Sequence, residues 1–209
     1  MDTSNSNLTD DPGAGSFDGQ GDVLIWSDQL ETGLEIVDQQ HLKLIAIVNK
    51  LARLQSGDAA SDELISVYGD LKNYTLYHFQ QEEDEMSLWP VDEANKMAHL
   101  KAHKGFIERI GKIDELIGSH PSYVIDHLLA FLVKWLIHHI SDVDKRMARE
   151  IIALRAGEAV SHESTNKDQL SNAISELYDG IGVRSLEVLD LNIQLQAEID
   201  RRRQAEVEA

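Results

Sequence analysis

Apolar residues recur three and four positions apart along four long stretches of the chain, the pattern of amphipathic helices. The first stretch runs from about Asp38 to Gln55 and stops at Ser56-Gly57. A second begins near Ser61-Asp62-Glu63, where a capping residue and two acids suit a first turn, and reaches about Leu88 before Trp89-Pro90. The third spans about Asp92 to Ile117 and ends at Gly118. In the fourth, Pro121 fits the first turn and the pattern continues to about Ala156-Gly157. No sustained alternation and no hairpin signal points to strands. Four such helices joined by short loops predict an all-α protein, an antiparallel four-helix bundle.

The flanks read differently. Residues 1–22, rich in Ser, Asn, Asp and Gly, are expected to form a disordered tail ahead of a bundle domain at 23–157. Residues 158–168 (EAVSHESTNKD) are polar and suit a linker. An additional C-terminal helix is expected over 169–209. Ile174, Ile181, Val188 and Leu195 recur every seven residues there, with Leu170, Leu177 and Leu191 on the partner positions. Arg184 and Glu198 interrupt that second series, so the seam is coiled-coil-like and imperfect. It offers a homodimer through residues 170–199 or a hold for an unidentified signalling partner. The alternative is a helix packed back on the bundle. The run Asp200-Arg201-Arg202-Arg203 reads as a solvated face.

Composition removes several function classes. In 209 residues there are 37 acidic and 19 basic side chains, a net charge of −18. Such a balance opposes binding to nucleic acid or to an anionic membrane surface. With no cysteine, disulfides, thiolate metal sites and a Cys nucleophile are excluded. Nowhere do eighteen apolar residues stand in succession, so no membrane insertion is expected. The first twenty residues carry neither Lys or Arg nor an apolar run, so no secretory leader is read and a cytoplasmic protein is expected.

The nine histidines change the picture, because several fall on apolar faces. Val37, His41, Leu44, Val48 and Leu51 form one stripe of the first helix; Leu71, Thr75, His78, Glu82 and Met86 form one of the second. On the third, His99 and His103 align with Phe106, Ile110, Ile113 and Ile117. One such histidine is ordinarily a satisfied core residue. All four faces carrying His or carboxylate would cost several kcal/mol per group unless the groups bond to something. A shared metal centre removes that cost. The pairs His78/Glu82 and His99/His103 are i,i+4, one turn apart on one side of a helix. Imidazole with carboxylate and no thiolate suits iron, manganese or zinc.

The fourth helix offers His138, His139, Asp142 and Asp144. By spacing, His138/Asp142 is the neat i,i+4 pair. By neighbours, His139 joins the stripe Leu128, Leu132, Trp135/Leu136 and Val143, and Asp144 joins Val133, Ile137, Ile140, Met147 and Ile151. His138 and Asp142 share a face with Lys134, Lys145 and Arg149. The inward pair is therefore His139 and Asp144, although five residues of α-helix set them roughly 140° apart. Asp144 is then expected to reach in from the flank.

The set VDQQH (37–41), HFQQEE (78–83) with Met86, HLKAH (99–103) with Phe106 and WLIHHISDVDK (135–145) resembles the bacterial hemerythrins, as do Trp26 and Thr32-Gly33-Leu34. The resemblance covers about residues 23–155, and Trp89 beside Pro90 departs from it where a Tyr is common. It implies a four-helix bundle with two non-haem iron ions bridged by two carboxylates and a solvent oxygen. Carried over, His99, His103 and His139 would hold one iron, His41 and His78 the other, and Glu82 and Asp144 would bridge them. The second iron would keep the open position where dioxygen binds as a hydroperoxide.

His120, His127, His138 and His162 are expected at the surface, Glu83 as a solvated neighbour of Glu82, and Asp38 as a helix cap or, less favoured, a support for a ligand imidazole. Met86, Phe106, Trp135 and Leu44 are expected in the core, compatible with lining a dry dioxygen pocket. Three functions fit this reading. Reversible dioxygen binding for storage, delivery or scavenging is preferred. Sensing of oxygen, redox state or nitric oxide through the C-terminal helix, whose NIQLQAEIDRRRQAEVEA resembles bacterial signalling helices, comes second. A di-iron oxidase or peroxidase is least favoured, so the protein is not expected to be an enzyme.

Overall fold

A computed structural model describes residues 22–57, 60–118 and 121–158 and, beyond them, helical residues at 177, 188, 190–195, 197–199 and 201–205. The expected tail up to residue 21, the linker from residue 159, His120, His162, Leu170, Ile174, Ile181 and Arg184 lie outside the described residues. Among the described residues there is no strand. The elements are α1 (Glu35–Ser56), α2 (Ser61–Leu88), α3 (Glu93–Ile117) and a fourth rod. That rod consists of α4 (Pro121–His138), a π-helical segment (His139–Asp144) and α5 (Lys145–Arg155). Within the bundle, α1 packs on α2 and α4, and α3 on the same two helices.

The three inward stripes expected from spacing on α1, α2 and α3 are buried, His and Glu included. Buried apolar residues fall into two clusters. The larger contains Leu44, Leu71, Phe79, Phe106, Trp135 and Leu136. A smaller one contains Leu34, Val37, Met86, Met147, Ala148 and Ile151. On α1, His41 stands between Val37 of one cluster and Leu44 of the other; on α2, Glu82 and His78 stand between Met86 and Leu71. The polar residues thus form a layer across the bundle with apolar packing on both sides. Truncating a core residue such as Leu44 to Ala would cost about 2–5 kcal/mol.

The rod Pro121–Arg155 is long and apolar enough to cross a membrane by length and composition. Its apolar side chains Val124, Ile125, Leu128, Leu132 and Ile140 are nevertheless buried in the bundle core, which accounts for them in a folded helical protein.

The ends of the elements show how the layer is held. The N-cap of α3 is Asp92, whose carboxylate accepts from Asn95 N, while Glu150 of α5 takes the Asp92 backbone N–H. Asn49 of α1 accepts from Val23 N and Leu24 N and donates to Leu24 O at 2.7 Å, tying the segment before α1 to the bundle. Asp38 is not the cap. The helix begins at Glu35 behind Leu34, and the Asp38 carboxylate instead accepts from Thr32 N, Thr32 Oγ1 and Gly33 N. Gly33 sits at φ +87°, and a Cβ there would meet Ile152 Cδ1 at 3.3 Å, so this turn requires glycine.

Candidate metal centre

Each helix delivers its inward polar residues to one level of the bundle. His41 comes from α1, His78 and Glu82 from α2, His99 and His103 from α3, and His139 and Asp144 from the fourth rod. All seven are buried, with at most 2% of any of them exposed. Their potential ligand atoms form two groups that share Glu82: Glu82, His99, His103 and His139 in one, and His41, His78, Glu82 and Asp144 in the other, the atoms in each lying within 4.8 Å of one another.

The fourth rod explains how His139 and Asp144 meet. The expectation of Asp144 reaching in from the flank of an α-helix is corrected by the π segment. Its i→i+5 bonding winds five residues about one turn and puts both side chains on the same face. His139 Nε2 lies 3.1 Å from Asp144 Oδ1. The stripe drawn through Val133 and Ile137 fails for the same reason, since Ile137 is 43% exposed and the inward register resumes only through the π turn at Ile140 and Asp144. His138 is half-buried beside this face rather than in the layer. His127, exposed as expected, bonds the Tyr123 carbonyl.

Asp144 turns its two oxygens to different groups, Oδ1 to His139 and His99 (3.1 and 3.5 Å) and Oδ2 to His41 (3.1 Å). Glu82 does the same, with Oε2 at 3.2–3.3 Å from His103 and His99 and 3.6 Å from His78, and Oε1 at 3.9 Å from His41. Both carboxylates therefore span the two imidazole sets. On the three-imidazole side, His103 Nε2 is 3.0 Å from His99 Nε2 and 3.2 Å from His139 Nε2.

The outer nitrogens fix the tautomers. Gln40 Oε1 stands 2.9 Å from His78 Nδ1, and Glu83 Oε1 stands 3.0 Å from His103 Nδ1. Those oxygens only accept, so each Nδ1 carries the proton and each Nε2 presents a lone pair to the centre. Glu83, 35% exposed, is thus more than a solvated neighbour, since it also supports an inward imidazole. Spacing separated Glu82 from Glu83 but could not show that Gln40 and Glu83 back imidazoles of neighbouring helices, because those contacts lie between elements. Rings complete the walls: Phe79 stacks on His103 at 3.7 Å, Trp135 stacks on His139 at 4.2 Å, and Trp26 lies 6.5 Å from His41.

Electrostatics call for positive charge at the centre. Burial pulls His41, His78 and His139 below their ordinary range, His78 to about 4. Burial also opposes ionisation of Glu82, but His78, His103 and His99 outweigh it and hold that carboxyl well below its usual value. Asp144 moves the other way, pushed well up by burial and then by the charge of Glu82. Two carboxylates buried this close together cannot both ionise without a cation beside them. Moreover, Asp144 Oδ1 and Oδ2, Glu82 Oε1 and His41 Nε2 are buried with no hydrogen bond. Converging lone pairs, orphaned carboxylate oxygens and an all-N/O donor set fit a metal site. For bonds of about 2.1 Å, ligands at right angles lie about 3.0 Å apart and tetrahedral ones about 3.4 Å. The His99, His103 and His139 nitrogens, 3.0 and 3.2 Å apart where they neighbour His103, are close enough to share one ion.

Residues 32–151 match the model of the hemerythrin HHE cation-binding domain. A bacteriohemerythrin of Stenotrophomonas maltophilia is 31% identical over 147 residues, 68% of this chain and 90% of that protein. One from Pseudomonas aeruginosa is 34% identical over 123 residues, covering 58% of this chain and 76% of its own. The bacteriohemerythrin of Clostridium acetobutylicum is 28% identical over 128 residues, 59% of this chain and 97% of its own. With a buried cluster that fits a cation and a matching domain over most of the bundle, the chain belongs to the hemerythrin HHE cation-binding domain family.

Proposed function

We propose that the chain is a non-haem di-iron protein of the cytoplasm that binds dioxygen reversibly, for storage, delivery or scavenging. His99, His103 and His139 would hold one ion, His41 and His78 the other, with Glu82 and Asp144 shared. The observation that carries the reading is this asymmetry, three imidazoles against two around a common pair of carboxylates, which leaves room for an exogenous ligand on the two-imidazole side. When bound, a pair of ferrous ions supplies the two electrons that dioxygen takes up. The chain contributes neutral imidazoles, fixed by Gln40 and Glu83, and an apolar wall that keeps water out. The names of the relatives, bacteriohemerythrins, support the same reading.

Metal analysis and visible absorption test it together. About two irons per chain and a colour that develops in air and fades under vacuum are expected. Zinc after growth in iron-replete medium, or a single equivalent, would sink the di-iron reading. Irreversible oxidation with turnover of a reductant would transfer it to an oxidase or peroxidase.

Sensing is a second reading, favoured by one observation on the C-terminal helix. Ile193 packs against the bundle core and Asn192 Nδ2 lies 3.5 Å from Tyr123 Oη of α4. Leu177, Val188, Leu191 and Leu195 meanwhile remain 56–66% exposed. The helix touches the rod that carries His139 and Asp144 and leaves an apolar row free for a second copy or a signalling partner.

A further inference from the structure

The seam between α1 and α2 opens to the outside in a groove of about 460 Å³. Its floor is apolar, made by Ile47 of α1 and the buried Val67 of α2. One wall is aromatic, with the rings of Tyr74 and Tyr77 5.7 Å apart and inclined at 44°. Tyr77 is 51% exposed although its neighbour His78 is buried. Two tilted rings over an aliphatic floor form a surface on which a flat ring stacks.

Two cations border that wall. Lys43 and Lys50 both line the groove, seven residues apart, which is two turns of α1 and roughly 10 Å along its axis. Lys43 Nζ lies 4.5 Å from the centre of the Tyr74 ring. Among the described residues neither lysine stands in an ion pair, whereas Arg53, Lys72, Lys104 and Arg155 each face an acid. In a chain with 37 acidic and 19 basic side chains, two neighbouring cations left unmatched are a local reversal of sign. Asp70, on the α2 side of the groove, is likewise without an ion pair or hydrogen bond among the described residues. The groove thus offers stacking, positive charge and one free acceptor together.

We propose that this groove binds a small flat aromatic anion that also carries a hydroxyl or a ring N–H. The ring lies on Ile47 and Val67 against the two tyrosines, Lys43 and Lys50 take the negative group, and Asp70 accepts from the hydroxyl or N–H. An uncharged aromatic leaves both lysines unmatched, and an anion without a donor sets its charge against Asp70 with nothing in return. A free hydroxylated aromatic acid and the phosphate of an isoalloxazine ring share this chemistry. The site does not depend on the dioxygen reading, because none of its residues belongs to the polar layer. It does adjoin that layer: Lys43 is one turn beyond Gln40 and Tyr77 precedes His78, so an occupant abuts the two-imidazole side from outside.

Calorimetric titration of the full iron-loaded chain with 6-hydroxy-2-naphthoate tests the site. One equivalent should bind, and 2-naphthol, which keeps the ring and hydroxyl but not the charge, should bind about tenfold more weakly. Replacing Lys43 and Lys50 together by Gln should weaken the naphthoate by about the same factor and leave 2-naphthol unchanged. Tyr77→Ser should weaken both probes, since it removes a stacking ring. Lys104→Gln, paired with Glu108 outside the groove, should change neither. Flavin mononucleotide should displace the naphthoate competitively; tighter flavin binding would make a nucleotide the occupant, and tighter naphthoate binding a free aromatic acid. Equal affinity for the naphthoate and 2-naphthol, indifference to the groove variants, or no binding of either anion at millimolar concentration would overturn the site. If the air and vacuum cycle fails while the naphthoate binds as described, dioxygen carriage falls and the groove stands.

Discussion

The two sides of the polar layer are built to different standards. On the three-imidazole side, His103 is backed by the Glu83 carboxylate, and the flat faces of His103 and His139 are stacked on Phe79 and Trp135. His103 Nε2 stands 3.0 Å from His99 Nε2 and 3.2 Å from His139 Nε2. On the two-imidazole side, His78 is backed by the neutral amide of Gln40, and His41 has both ring nitrogens buried with no hydrogen bond. Over His41 lies Trp26, from a segment outside the helices that Asn49 ties down. His99 Nδ1 also lacks a hydrogen bond, so the difference lies in the stacked rings and the carboxylate backing of the three-imidazole side.

Removing the shared carboxylate should have the largest effect. Glu82→Ala takes a ligand atom from both sides and should leave almost no bound metal, whereas His78→Ala should leave about one ion on the three-imidazole side. His139→Ala should destroy the paired-ion spectrum, while His138→Ala, beside the layer, should leave metal content and spectrum nearly unchanged. Metal analysis of the four purified variants checks all of this. Equal loss in His78→Ala and Glu82→Ala would mean that the two sides fill only together.

Next in size is the effect of acid on the metal-free chain. The pKa of His78 falls from 6.5 to about 4 on folding because burial penalises its cation, and His41 and His139 shift in the same direction. The unfolded chain then binds more protons than the folded one between those values, so stability drops as pH falls from 6.5 towards 4. Asp144, shifted upward, has the opposite sign, its contribution being lost as pH rises above its ordinary value. Three imidazoles and Glu82, whose depressed carboxyl acts in the same direction, against Asp144 alone make the net slope positive. Urea midpoints of the metal-free protein should rise from pH 4.5 to 6.5, and a flat or falling profile would refute the neutral cage.

Glu83→Ala removes the support of one imidazole and should cost less. Losing such a hydrogen-bonded backing typically weakens metal affinity about 10–100-fold. The ion on the three-imidazole side should weaken more than its neighbour, and Gln40→Ala should show the reverse preference. Chelator competition followed by colour loss reads both. A uniform loss would mean that Glu83 acts on the fold and not on His103.

How much of this was legible in the sequence follows from the period of each element. On α1, α2 and α3 the repeat is the α-helical one, so His41, His78, Glu82, His99 and His103 fall on the buried faces that spacing assigns. The fourth rod changes its winding at His139. No residue type announces a π segment, and its trace in sequence is a contradiction: two inward residues five apart, roughly 140° out of register on an α-helix. Glu83 and Gln40 were illegible for another reason, since their partners lie on neighbouring helices, 20 and 38 residues away.

The smallest expected effect concerns the C-terminal helix, and it separates the carrier from the sensor. The sequence set a dimer seam against a helix packed on the bundle, and the structure contains parts of both, with Ile193 inward and Val188, Leu191 and Leu195 outward. Among the described residues Ile193 is the apolar anchor on the bundle, a weak hold by itself, and a two-stranded seam of this length with charged interruptions is marginal as well. A marginal equilibrium is one that a small bias at the rod carrying His139 and Asp144 can tip. Light scattering on the ferrous and air-exposed protein, with and without residues 158–209, measures that bias. Under the sensor reading the mass depends on the tail and shifts between the two states, and replacing Leu191 and Leu195 by Ser removes the shift while the metal content stays put. A monomer in every state would end the sensor reading in this form, because a packed helix with an exposed seam that never pairs transmits nothing to a second copy.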